Sequence, residues 1–109
     1  MKTSMQVRHV DNGYYSKLWK VILRITLDDG SFYRLHSYAT SSTLEDSEHM
    51  QKETIKELAF EEIDIEKYVN DDVYRHKYVR QLKEKTSKLL DMWDASRNSI
   101  FQTIGYNII

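Results

Sequence analysis

Two short turn sequences constrain this chain more than anything else in it. Asp11-Asn12-Gly13 and Asp28-Asp29-Gly30 each separate two runs rich in Val, Ile, Tyr, Phe, Trp and Thr. Glycine tolerates positive φ, and Asp and Asn favour turns, so both sequences read as hairpin loops. β-branched and aromatic residues suit a pleated, half-buried surface. The runs at about 4–10, 14–27 and 31–40 therefore predict a three-stranded antiparallel meander.

The hydrophobic alternation then sets the register. Trp19, Val21, Leu23, Ile25 and Leu27 alternate with Lys20, Ile22, Arg24 and Thr26. Two-residue loops would put the apolar set on one face with Arg34 and His36. Three-residue loops with glycine last, a type I turn plus a bulge, instead join that set to Met5, Val7, Tyr33, Leu35 and Ala39. The second register is preferred, because a one-residue slip moves every side chain to the other face.

That register fills the opposite face with Arg8, Lys20, Arg24, Phe32, Arg34, His36 and Tyr38. Arg24 and Arg34 come to lie directly across from each other. Like charges in that relation are destabilising unless an anion lies between them. Either the face is simply solvated, with its arginines splayed apart, or it receives an anionic partner. These seven residues are the first candidates for a binding surface.

Helices are expected after residue 40. Ser42 followed by Glu45 matches a capping box, predicting a helix from about residue 43 to 60. Residues 61–69 mix alternation with helix formers and leave two readings open, continuation or a short break. Asn70-Asp71-Asp72 marks a second start, with capping residue types and negative charge at the positive end of the helix dipole. From there a helix can run to about Ser99, roughly 40 Å.

Val79, Leu82, Thr86, Leu89, Trp93, Ser96 and Ile100 recur along that helix at heptad spacing. The seam packs on the chain's own sheet or on a second copy, with Val79, Leu82, Leu89 and Trp93 as the contacts of a homodimer. Polar Thr86 and Ser96 weaken the second reading. The apolar tail at 101–109 is expected to dock on the core or to add an edge strand. The fold class is thus α+β in one domain spanning 1–109: a meander, a shorter acidic helix, and a long C-terminal helix packed on one sheet face.

Charge is sorted along these elements. Residues 1–40 carry six Lys/Arg against three Asp/Glu, residues 41–69 three against nine, and residues 70–109 seven against five. The acidic block offers a second contact surface at Glu45, Glu53, Glu57, Glu61 and Glu62. Arg75, His76, Lys77, Arg80, Lys83, Lys85 and Lys88 make the start of the long helix basic, a face that suits water or phosphates.

Signatures of catalysis are missing. The chain has no cysteine, which removes disulfides, thiolate metal sites and Cys nucleophiles together. It holds no Walker loop, dinucleotide-binding glycine pattern, nucleophile elbow or HExxH. No two of His9, His36, His49 and His76 are three or four apart, as a helical metal pair requires. No enzyme, cofactor or metal is expected. Neither a signal-peptide h-region nor a membrane span is visible, so a cytoplasmic protein without a membrane partner is expected.

Short, Cys-free, α+β and without catalytic signatures, the chain is similar in general character to small proteins carried by bacteriophages and mobile elements. Anti-CRISPR inhibitors of host nucleases are among them. No motif carries this likeness. It implies an inhibitor or regulator that binds a protein, and it assigns no residue a role. The sheet-then-helix order also loosely resembles the three-stranded DNA-binding domains of some recombinases, though the acidic middle helix weakens that comparison. A protein partner is therefore the first expectation. Nucleic-acid binding by the basic sheet face and basic helix is the alternative.

Overall fold

The computed structural model describes residues 1–42 and 47–108, the side chains of 97–108 excepted. Three strands, β1 (Lys2–Asn12), β2 (Ser16–Thr26) and β3 (Phe32–Ser42), form one antiparallel sheet in the order β1-β2-β3. Helices α1 (Glu48–Ala59), α2 (Ile65–Asn70) and α3 (Asp72–Ile108) follow, with α1 and α3 packed on β3. The α+β meander with a long last helix is the predicted architecture.

The second turn forms as its sequence dictates. Leu27 N–H donates to Ser31 O at 2.8 Å and Gly30 N–H to Leu27 O at 3.0 Å, with Gly30 at φ 88°. Asp29 accepts from both the backbone N–H and the hydroxyl of Ser31, which holds its carboxyl below the usual range. The resulting register sets Arg24 opposite Arg34 and Leu23 opposite Leu35.

The first turn differs. A loop at Asp11–Gly13 would set Val7 opposite Lys17, whereas Val7 pairs with Val21. β1 runs on to Asn12 through an irregularity between His9 and Asp11, and the connection is Gly13-Tyr14-Tyr15. Gly13 is not at positive φ. A Cβ there would come 2.8 Å from the Trp93 ring, so close approach of α3 is what requires glycine. Because the shift is even, β1 keeps its predicted faces.

The core lies between the sheet and the helices. Trp19, Val21, Leu23, Ile25, Leu35 and Ala39 meet Ile55, Ala59, Phe60, Tyr68 and Leu82. Fully burying a side chain of this size stabilises by about 1.5–3 kcal/mol. Ser37 is buried here too, but its hydroxyl donates to Ala59 O at 2.7 Å. That bond satisfies a carbonyl at the end of α1 and ties the helix to β3.

The helix boundaries correct two expectations. α1 starts at the Ser47 cap, whose hydroxyl accepts from Met50 N–H, and not at a Ser42/Glu45 box. Ser42 is held in β3 opposite Ser16, while Glu45 lies outside the described residues. Of the two readings for 61–69, the break is the one adopted. Phe60 ends α1, Glu62 takes a left-handed φ of 58°, and Asp64 caps α2 by accepting from Lys67 N–H.

Asp71 then accepts from Val73 and Tyr74 N–H and opens α3, as the Asn70-Asp71-Asp72 sequence predicts. Arg75 donates to the Tyr68 and Val69 carbonyls at 3.0 and 3.2 Å and lies over the Tyr33 ring. One side chain thus satisfies the end of α2 and packs on the sheet. The tail adds no strand: α3 continues through Ile108, and its 37 residues extend about 55 Å.

Candidate functional site

The seven residues expected to share the second sheet face do share it. Cross-strand rows run Thr26–Phe32, Ser4–Arg24–Arg34, Gln6–Ile22–His36 and Arg8–Lys20–Tyr38. The core cluster draws its strand residues from the opposite face. Arg8, Arg24, Phe32, Arg34 and His36 are exposed, and Lys20 and Tyr38 are half-buried. Apart from Leu18, only Ile22 is buried among the residues pointing this way, at 7% exposure between Gln6 and His36.

Two of the cations here lie over aromatic rings. The Arg24 guanidinium lies 4.0 Å from the centre of the Phe32 ring, and the Lys20 ammonium 5.9 Å from that of Tyr38. Among the described residues, no carboxylate pairs with Arg24 or Arg34. A depression of about 370 Å³ opens between them, lined by Ser4, Gln6, Ile22 and Phe32. Burial, then the charges of Lys20 and Arg34, hold the His36 imidazole below its ordinary pKa. This surface presents fixed positive charge, polar donors and one exposed ring, a set suited to receiving an anion.

The acidic surface has a different electrostatic state. Gln51, Ile55 and Ala59 form the buried stripe of α1, so Glu53 and Glu57 point outward, and Glu61 and Glu62 are exposed in the turn beyond. Glu53 pairs with Lys56 at 3.2 Å, Glu48 with Lys52 at 3.6 Å, and Glu61 with Lys85 at 3.4 Å. Much of that charge is answered from within the chain.

The basic run on α3 is similarly divided. Arg75 is committed to α2, and Lys85 reaches the Leu58 carbonyl and Glu61. Of the heptad seam, Leu82 and Trp93 are 7% and 8% exposed, and Val79 and Leu89 are half-buried. Trp93 donates to Asp11 at 2.9 Å, fixing α3 to the first hairpin. Four tyrosines, 33, 68, 74 and 78, cluster between sheet and helices, two pairs edge to face and Tyr74 stacked on Tyr78; burial and the neighbouring groups push the Tyr78 pKa up to about 12.

Sequence reasoning missed Tyr14 and Tyr15. They pack edge to face in the first connection and are 66% and 63% exposed. Their signal is two adjacent aromatics beside a turn glycine, which the β-run pattern reads as the start of a strand. No group of three or more metal-ligating side chains occurs among the described residues. No helix among them is long and apolar enough to cross a membrane. Compared with family models, curated proteins and solved structures, the chain matches none.

Proposed function

We propose that the protein is a non-enzymatic binding module whose uncovered sheet face docks on an acidic surface of a partner protein and so inhibits or regulates it. The observation that carries this reading is the Arg24–Arg34 juxtaposition, exposed and without a carboxylate partner among the described residues. Two guanidiniums in adjacent strands repel each other in the free protein and converge on one carboxylate cluster in a complex. Arginine and aromatic residues around a buried Ile22 are also the mixture that carries energy in protein interfaces. An inhibitor of the kind carried by mobile elements is the role this reading favours.

A second reading, nucleic-acid binding, draws on the same cations and on the exposed Phe32 ring, on which a base can stack. The acidic helix is the second protein-binding surface.

Capture of partners from the lysate of the expressing cell, by wild type and by the Arg24→Glu/Arg34→Glu protein, tests the proposal. Loss of a specific protein on charge reversal is expected. Unchanged capture contradicts it, and loss only on neutralising Glu53 and Glu57 moves the site to α1. Titration of labelled duplex and single strands at two salt concentrations decides the second reading, since phosphate contacts weaken steeply with salt.

A further inference from the structure

β1 is the least covered element of the fold. It lies at the sheet edge, where among the described residues it pairs only with β2, and nine of its eleven residues are exposed. An edge strand presents a row of unpaired N–H and C=O groups to any chain that can match it. Its core-facing side is also incomplete: Met5 is 37% exposed and Val7 is half-buried.

Self-pairing about a twofold axis keeps each face on its own side only when the axis passes through a residue, and charge disfavours two of the central registers. A dyad at Met5 sets Lys2 opposite Arg8, and a dyad at Arg8 sets two arginines face to face. A dyad at Val7 puts Met5 against His9 and reaches the irregularity beyond His9 after a short regular stretch. A dyad at Gln6 has none of these faults. It pairs residues 3–9 before the irregularity, sets Ser4 opposite Arg8, and brings Met5 against the partner's Val7 twice over.

We propose that β1 pairs antiparallel with β1 of a second copy, Gln6 opposite Gln6, to make a continuous six-stranded sheet. The two cationic faces then lie on one side and the helices on the other. The inference does not depend on the partner proposed above. It replaces the α3 seam as the route to a homodimer, since Leu82 and Trp93 are buried within the chain.

Because the chain has no cysteine, single introduced cysteines report the register. Directly opposed residues have Cα atoms about 4.5–5.5 Å apart, within disulfide reach. Gln6→Cys should therefore cross-link under mild oxidation. Ser4→Cys should not, because its copies lie about 13 Å apart along the strands. Light scattering should give about twice the 13.1 kDa of the chain for wild type, and Met5→Lys, folded by near-ultraviolet circular dichroism, should return a monomer.

A wild-type monomer throughout a wide concentration series overturns the proposal. So does a dimer in which Gln6→Cys cross-links no better than Ser4→Cys, as an α3 interface would give. Strongest cross-linking at Val7→Cys would also overturn it, by assigning the other register.

Discussion

The two faces of one sheet, built from alternate residues of the same three strands, have opposite fates. The face with Trp19, Val21, Leu23 and Ile25 is roofed by helices and almost without solvent exposure. The face with Arg8, Lys20, Arg24 and Arg34 has none of that cover and carries charge its own strands do not neutralise. The comparison teaches where to look for each property. Stability resides on the first face, whereas the second sets like charges side by side, an arrangement that the proposed docking role accounts for.

The largest effect expected is on the covered face. Trp19→Ala should destabilise by about 3–5 kcal/mol through the cavity it leaves, read from chemical denaturation, with the Ser41 hydroxyl also losing its indole donor. Lys20→Ala, one residue along on the other face, should stay within about 0.5 kcal/mol. Comparable losses at both positions would end the distinction between the faces.

Arg75→Ala should cost about 1–3 kcal/mol, because the Tyr68 and Val69 carbonyls lose their donor. This arginine belongs to the structural side of the comparison, although the sequence placed it in a basic binding run. Loss of stability without loss of partner binding would confirm the reassignment. Intact stability would return it to the surface.

On the uncovered face the sign should invert. Arg34→Glu replaces a cross-strand repulsion with an attraction to Arg24 and should raise stability by about 0.2–1 kcal/mol, while partner affinity falls. A drop in stability would mean that the arginines already have a favourable role in the free fold.

The smallest effect concerns pH. The His36 pKa is lowered in the folded state by burial and by Lys20 and Arg34. The unfolded chain therefore binds its proton first, so stability is slightly lost as pH falls through the ordinary histidine range toward the folded pKa. Binding an anion beside His36 raises its pKa, so affinity should increase over the same interval. An NMR titration of the His36 ring with and without partner checks the direction; an unchanged midpoint would place the anion elsewhere.

Local patterns made most of the fold legible. Period-2 alternation sorted both faces correctly, and the Asp28-Asp29-Gly30 turn carried its own geometry. The Asp11-Asn12-Gly13 turn misled because its glycine answers Trp93, eighty residues away in sequence, which no local pattern reveals. Ser42 looked like a cap until its backbone was engaged by Ser16. The break at Glu62 depends on a left-handed non-glycine residue, a conformation that sequence seldom announces. Of the candidate site, the cationic face was readable because it follows from strand register alone. The roles of Arg75, Lys85 and Trp93 were not, since each depends on which element α3 lies against.

Two basic surfaces, the sheet face and the exposed side of α3, compete for the central role, and residue-resolved NMR with an acidic probe separates them most directly. On adding a polyglutamate peptide at low salt to the labelled protein, the account predicts shifts centred on Ser4, Gln6, Arg24, Arg34 and His36, with α3 unperturbed. Shifts centred on Lys77, Lys83 and Lys88, or none anywhere, would contradict it.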